Sequence, residues 1–283
     1  MSLVSVLIPC YGHQSTLPRA LFSLVLQDFA QWEAIVVDDG SEPPIDRERL
    51  PSDPRIRLLR LPTNQGRGKA SQVALQASVG RYVAFLDADD WYLPDKLSRQ
   101  VAFLDSNPDV DCVAGTLGCV SRDGGDLREM LGPRPGIHHH TPTGSIRLPF
   151  AACLVRGKRA RQVGFDPAFR RGQDRDFLHR LLVGRSYAVV PGIEYVYHTG
   201  VSFALSSVQE GLRYRLQFYR RHLRNNPGWA LLQIGATVAR LVLYPIFHRL
   251  GRWQGHVERN LRPAPTEVQQ QYRAALAALE RHL

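Results

Sequence analysis

Cysteine is scarce. The 283 residues hold four, Cys10, Cys112, Cys119 and Cys153, and no C-x-x-C pair. That spacing makes neither a disulfide framework nor a zinc-ligand set, so reduced thiols in a cytoplasmic protein are expected. Also missing is a basic stretch ahead of the N-terminal apolar run, which stops at Pro9. The run is too short for the apolar core of a secretion signal, so export is not expected. No stretch of about 18 apolar residues goes unbroken, so no segment announces itself as a membrane span. Acidic residues are the minority: 26 Asp and Glu against 36 Lys and Arg give a net charge of +10, most of the surplus falling after residue 155. Such a balance favours an anionic partner, whether nucleic acid, a phospholipid surface or a phosphorylated substrate. A hydrophobic fraction of 44% and a charged fraction of 22% exclude disorder as the default. The length suits one large domain with an appendage, or two small ones.

The apolar runs that are present end in a recurring way. Residues 3–8 (LVSVLI) read as a buried strand stopped by Pro9, Cys10, Tyr11 and Gly12. Residues 15–27 follow with Leu17, Ala20, Leu21, Leu24 and Val25 at helical spacing and Pro18 in the first turn. A second strand, Ala34 to Val37, runs into Asp38, Asp39, Gly40 and Ser41, and Ile56 to Leu61 makes a short third. N-Q-G-R-G-K-A (64–70) leads into a helix with Ala70, Val73, Ala74 and Ala77 on one face. Next comes R-Y-V-A-F-L-D-A-D-D (81–90), a buried strand with Asp87, Asp89 and Asp90 directly behind it. Strands alternating with helices predict a parallel, doubly wound sheet whose ligands sit at the C-terminal strand edge. Three acids within four residues repel one another unless a cation or hydrogen-bond donors share the site, and hard divalent cations suit such oxygens. The stretch is a candidate metal-diphosphate platform; an acidic turn capping the next helix is the alternative.

Pro94 to Leu104 reads as a helix and Val110 to Val120 as a strand. Ser121 to Gly144, rich in glycine and proline, reads as a long loop, a candidate flap, in which His138, His139 and His140 are expected to be solvent-exposed. A helix from about Asp174 to Val183 and short strands at 187–190 and 195–197 follow, and beyond Ser207 the chain reads as helix. Within that tail Trp229 to Leu250 is strongly apolar with a basic flank, an amphipathic helix that suits a partner helix, the protein's own surface or a membrane interface.

V-S-V-L-I-P-C-Y-G, V-V-D-D-G-S, N-Q-G and G-R-Y-V-A-F-L-D-A-D-D, in this order and at these separations, resemble the inverting family 2 glycosyltransferases over roughly residues 3–205. The resemblance implies the GT-A nucleotide-diphospho-sugar transferase fold: α/β, Rossmann-like, a mostly parallel sheet flanked by helices. It divides the chain into a transferase domain, 1–205, and a helical, basic, amphipathic C-terminal extension, 206–283. It also implies a metal-dependent transferase that moves a sugar, most simply from a UDP-sugar, to a hydroxyl acceptor in cell-envelope or polysaccharide glycan synthesis. Asp39 would hydrogen-bond the nucleobase, with Pro9 and Tyr11 walling its pocket. Gly66 and Lys69 would lie near the donor phosphates, although G-R-G-K is not a P-loop. Asp87 would contact ribose or metal, Asp89 would ligate Mg2+ or Mn2+ on the diphosphate, and His198, behind E-Y-V-Y, would stand near the metal. Asp90 reads as a helix cap. Asp174 in G-Q-D-R-D-F would be the catalytic base, and Gln173 departs from the family's usual Glu. A nucleotide-sugar-binding protein without turnover is the alternative that this departure raises. The implied partners are the nucleotide-diphospho-sugar donor and a glycan or lipid-linked acceptor, not nucleic acid. Peripheral contact with the inner face of the membrane through the C-terminal helices is a further expectation.

Overall fold

The computed structural model describes residues 3–121, 125–144, 146, 148–167, 169, 172–198, 204–253, 255 and 259–283. Gly124 of the glycine-proline stretch and the Arg170-Arg171 pair lie outside them. Four strands, β1 (Val4–Cys10), β2 (Trp32–Asp38), β3 (Ile56–Arg60) and β4 (Tyr82–Phe85), run parallel in the order β4-β1-β2-β3. The near-continuous apolar sequences of β1, β2 and β4 suit strands buried on both faces, whereas β3 carries two arginines and is only partly buried. Alternation divides the side chains. Val4, Val6 and Ile8 meet Leu17, Leu21 and Leu24 of α1 (Leu17–Val25) and Leu97, Val101 and Leu104 of α3 (Lys96–Ser106). Leu7, Ile35, Val37 and Val83 face Ala70, Ala74 and Leu75 of α2 (Arg67–Ala77) and Phe177, Leu178 and Leu181 of α5 (Gln173–Leu182). The register pairs Cys10 with Asp38 and Leu7 with Phe85, so the acidic loops after β2 and β4 emerge on one edge.

The second half of the sheet is mixed. Strand β9 (Cys153–Arg156) is antiparallel to both β4 and β6 (Val110–Val120), and β10 (Ser186–His198) runs parallel to β6 and antiparallel to β5 (Trp91–Tyr92). Two short strands expected at 187–190 and 195–197 are one irregular strand. It passes through Pro191 and Gly192 where the pairing with β6 slips, because a bulge lets a strand carry residues that break its ladder. The expected loop 121–144 also needs correction. It holds β7 (Arg128–Met130), paired with β6, and β8 (Gly136–His139), paired with β10. Both are short and largely polar, so they carry little hydrophobic signal, and their glycines and prolines fall at strand ends and in turns. The three histidines are therefore not in an exposed loop. His138 and His139 are in β8, and His140, just beyond it, is buried.

A short helix, α4 (Gly157–Val163), precedes α5. Residues 206–283 supply most of α6 (Leu205–Arg221), then α7 (Pro227–Arg249), strand β11 (Leu261–Pro263) and α8 (Thr266–Glu280). Strand β11 extends the sheet beside β7, and α8 lays Tyr272, Ala275 and Leu279 against Trp91, Ile193 and Val196. The rings of Trp91 and Tyr272 stack at 5.7 Å. Helix α7 is different: it is long and apolar enough to cross a membrane by length and composition. Leu231, Leu232, Val238, Val242, Leu243, Ile246 and Leu250 beside it are exposed. At ~100° per residue these positions fall on one side of the helix.

A histidine contact joins this tail to the sheet. His140 and His179 of α5 meet Nε2 to Nδ1 at 3.1 Å, and the His179 ring lies against His222, Phe218 and Trp229 from the tail. Burial, then the charges of His222, His140, Arg180 and Arg175, push His179 down to about 4. An unfolded histidine titrates near 6.5. Above that pH neither state is charged and the group contributes nothing; between about 6.5 and 4 only the unfolded chain takes up the proton, so stability falls as pH falls. Thermal unfolding should show Tm dropping across that window, and His179→Gln should flatten the drop. An unchanged slope in the variant would remove His179 as its cause.

Candidate functional site

The site begins with how the loops at the C-terminal edge are tied. Asp38 and Asp39, adjacent in sequence, go to different tasks. Asp38 Oδ1 accepts from Ser41 N at 2.9 Å and Oδ2 from Arg60 Nη1 at 2.9 Å, which closes the turn after β2. Asp39 reaches across to the N-Q-G loop, where its two oxygens accept from Gln65 N and Gly66 N, each at 2.8 Å. A carboxylate at the start of α2 also meets the positive end of the helix dipole. Gly40 makes the approach possible: it sits at φ +73°, and a Cβ there would lie 2.5 Å from the Thr63 carbonyl carbon. Gly68 does the same on the other side, where a Cβ would lie 2.2 Å from the Phe169 carbonyl oxygen. Ser41 Oγ accepts from Gly12 N at 3.0 Å, which binds the P-C-Y-G loop into the same frame.

This frame borders a cavity of about 730 Å³ lined by Pro9, His13, Arg67, Asp87 and Asp89 on the sheet side and Gln173, Asp174 and Arg175 at the start of α5. Helices α6 and α7 wall it from the far side, through residues that include Tyr214, Arg215 and Tyr244. Of the residues singled out in the sequence, Pro9, Asp87, Asp89 and Asp174 therefore meet in one space. Asp39, Gly66, Lys69 and His198 are not in its lining. Gly66 caps α2 and Lys69 is half-buried in its first turn. Tyr11 is not in the lining either and is 53% exposed. Among the described residues, the carboxylates of Asp89 and Asp174 engage no hydrogen-bond or ion-pair partner.

Two residues that the sequence did not reveal as functional shape the electrostatics. Arg67 points its Nη1 at Asp87 Oδ1, 3.5 Å away, and is held above its usual range by Asp87 first, with Asp89 and Asp174 adding to it. Asp87 itself is raised, chiefly by burial, with Arg67 opposing and Asp89 and Asp174 reinforcing the rise. Arg67 sits two residues before Lys69, and only the fold shows that its side chain is the one turned into the acids.

Asp90 is the second. It is fully buried and does not cap α3, whose N-cap is Asp95. Its Oδ2 accepts from the Tyr195 hydroxyl at 2.7 Å and its Oδ1 from His198 N at 2.9 Å, while the Tyr195 oxygen accepts from Asp87 N at 3.1 Å. Burial, then Asp87 and Asp89, hold the carboxyl of Asp90 well above the usual range. A D-A-D-D run looks the same whether its last acid faces solvent or strand β10, so the pattern alone could not separate the two.

His198 lies behind this cluster. Its Nδ1 is 3.5 Å from Arg19 Nη2, which also donates to the Asp89 carbonyl at 3.0 Å. Burial and the Arg19 charge push the imidazole down to about 4, so it is neutral near pH 7. The same Nδ1 lies 3.9 Å from Asp90 Oδ1, so the carboxylate and the guanidinium favour opposite tautomers of the ring. Asp89 lines the cavity and offers hard oxygens to a cation. Among the described residues no three His, Cys, Asp or Glu side chains gather as a metal-ligand set, so the residues fit a cation completed by substrate oxygens rather than a protein cage.

Removing the Asp90 carboxyl should leave Tyr195 and the His198 amide unpaired. Asp90→Ala should lower stability by about 1–3 kcal/mol, whereas Asp90→Asn, which keeps an accepting oxygen, should lose less. Equal losses in urea unfolding would show that the hydrogen bonds do not matter.

Several comparisons bear on this arrangement. Residues 5–156 match Glycosyl transferase family 2. The succinoglycan biosynthesis protein ExoO of Rhizobium meliloti is 30% identical over 214 residues, covering 69% of this chain and 60% of ExoO. The Escherichia coli UDP-Glc:alpha-D-GlcNAc-diphosphoundecaprenol beta-1,3-glucosyltransferase WfgD is 36% identical over 109 residues, 37% of this chain and 42% of WfgD. The chain thus spans well under two thirds of these relatives' lengths. S. aureus TarS crystallised with UDP-GlcNAc superposes with a TM-score of 0.59 at 20% identity, over 100% of this chain and 81% of TarS, which establishes a shared GT-A fold. The ordered loops at the strand edge and a family match over more than half of the sequence lead to one conclusion: this chain is a member of glycosyl transferase family 2.

Proposed function

We propose that the protein transfers a sugar, with inversion, from a nucleotide-diphosphate donor to a hydroxyl acceptor in the synthesis of a polysaccharide or cell-envelope glycan. The observation that carries the reading is the meeting of Asp87, Asp89 and Asp174 around Arg67 in one cavity at the strand edge. The glucosyl transfer from UDP-Glc named for WfgD, the succinoglycan biosynthesis named for ExoO and the UDP-GlcNAc bound to TarS support a UDP-sugar donor and an envelope or polysaccharide acceptor. The nucleobase would lie against Pro9 and Tyr11, where Asp39 keeps lone pairs beyond those given to Gln65 and Gly66 and can accept from a ring N–H. The phosphates would lie towards Gly66, Lys69 and the N-terminus of α2, with Asp87 on the ribose.

Asp174, whose carboxylate has no hydrogen-bond or ion-pair partner among the described residues, takes the proton of the acceptor hydroxyl. The oxygen attacks the anomeric carbon opposite the diphosphate, the bond from that carbon to the phosphate oxygen breaks, and the nucleoside diphosphate departs. Arg67 keeps a fixed positive charge beside the region where the leaving group gains negative charge. Asp89 would hold Mn2+ or Mg2+, which when bound neutralises that same developing charge. The side-chain oxygen of buried Gln173 has no hydrogen-bond partner among the described residues, and Gln173 borders the cavity, so it can accept from a sugar hydroxyl without a second negative charge.

Thermal unfolding with UDP, GDP, dTDP and CMP, each with and without Mn2+, tests the donor site. A ligand at 100 times its Kd should add about 2.7 kcal/mol, and a shift that requires metal is expected. Asp174→Asn should reduce transfer by about 10²–10⁴-fold while the nucleotide shift survives; loss of both together would reject the base role. Nucleotide binding with neither transfer nor donor hydrolysis would favour a sugar-nucleotide-binding protein without turnover.

The exposed apolar side of α7 supports contact with the cytoplasmic face of a membrane. The helix carries Arg240 and Arg249 and no acid, and Arg220, Arg221 and Arg224 lie at the end of α6. A helix of this kind lies in the interface with its apolar side among the acyl chains and its cations among anionic headgroups. Flotation with anionic liposomes at low salt should carry the protein, and Leu232→Glu with Val242→Glu should abolish it; flotation unaffected by the pair would discount α7.

A further inference from the structure

Two charged groups border the cavity. The acids and Arg67 form one. In the other, Arg175 of α5 and Arg215 of α6 line the wall, and Arg240 of α7 stands close enough to Arg215 for their charges to interact. Most arginines near the cavity are answered by acids: Arg67 by Asp87, Arg180 by Asp176 and Arg221 by Asp166. These three are not. Among the described residues none of their guanidiniums makes a hydrogen bond or an ion pair, and the Nε of Arg215 is buried without a partner. Burial first, and then Arg175 and Arg240, push Arg215 down to about 10, with Tyr219 and Tyr244 opposing. Like charges gathered out of water without a counter-charge are unfavourable, and guanidinium forks match phosphate oxygens closely.

We propose that Arg175, Arg215 and Arg240 form an anion subsite that holds the phosphate or diphosphate group of a lipid-linked acceptor. The proposal rests on the transferase reading and names the acceptor class for the same cavity. Position favours the acceptor over the donor as the source of the phosphate. Arg175 directly follows Asp174, the residue that meets the acceptor hydroxyl, while the donor-side residues Pro9 and Asp87 come from β1 and the loop after β4. Arg240 is carried by the helix whose other side exposes Leu231, Leu232, Val238 and Val242, an apolar surface on which a lipid tail can lie while its phosphate turns in towards Arg215.

The test uses farnesyl diphosphate, farnesyl monophosphate, farnesol and inorganic pyrophosphate, titrated into the full chain with and without saturating UDP and Mn2+. Farnesyl diphosphate is expected to bind the UDP-loaded protein. Arg215→Gln with Arg240→Gln should weaken that binding at least tenfold and leave the affinity for UDP unchanged, which also shows that the variant is folded. Arg215→Lys should recover part of the loss, since it keeps the charge and gives up the fork. Farnesol binding as tightly as farnesyl diphosphate would overturn the subsite, as would variants that bind farnesyl diphosphate like the parent. Variants that lose UDP and farnesyl diphosphate equally would move the arginines to the donor, and pyrophosphate binding as tightly as farnesyl diphosphate would overturn the lipid-linked source. If UDP does not bind the parent, the donor reading fails, and the titration without nucleotide still decides the subsite: binding that depends on Arg215 and Arg240 upholds it, and no binding overturns it.

Discussion

A carboxyl buried as completely as that of Asp90 would carry a heavy desolvation cost if nothing met its oxygens. Tyr195 and the His198 amide meet them, and both belong to β10. The Tyr195 hydroxyl in turn receives the Asp87 amide, so the loop that displays Asp87 and Asp89 is held by a strand about a hundred residues further on. Arg19 adds a second tie, from α1 to the Asp89 carbonyl and the His198 ring. The acids that face the cavity are thus presented by one buried acid that does not. Mutual repulsion among them, which would open an untethered loop, is instead balanced by Arg67 and contained by a fixed backbone.

The same logic separates what was legible in the sequence from what was not. Strands β1, β2 and β4 were legible because runs such as L-V-S-V-L-I and Y-V-A-F-L are as apolar as strands buried on both faces must be, and their stopping residues mark the edge. Helices α1 and α3 follow from the spacing of their leucines. The placement of Pro9, Asp87 and Asp89 at one edge was legible from motif order, and Asp174 entered through the family resemblance. Arg67, Asp90 and Arg19 were not, since each acquires its importance from a partner distant in sequence, and local pattern carries no information about which way a charged side chain turns. Strands β7 and β8 were hidden for a related reason: strands this short and polar are held by backbone pairing more than by apolar side chains, and glycine-rich flanks read as loop.

The pairs D-D in 38–39 and D-x-D-D in 87–90 show one residue type used for opposite ends. Asp38 and Asp90 have their oxygens saturated by internal donors and serve the frame, Asp39 bridges frame and loop, and Asp89 and Asp174 remain open. Partner saturation, more than residue identity, sorts the carboxylates into those that hold the edge and those available for chemistry. The arginines divide in the same manner, with Arg60 and Arg180 committed to acids and the group around Arg215 uncommitted.

The stacking of Tyr272 on Trp91 has a consequence in time. Trp91 directly follows Asp90, yet its cover arrives only with α8, 181 residues later, as the difference between 272 and 91 gives. At a synthesis rate of about 5–20 residues per second the nascent chain waits roughly 9–36 s between making the acidic loop and making the helix that shields its neighbour. The parallel strands β1 to β4 can pair within that interval, but the edge they build stays uncovered on one side. On the ribosome, then, the acidic edge is assembled early, and the helix that covers Trp91 follows only after a further 181 residues.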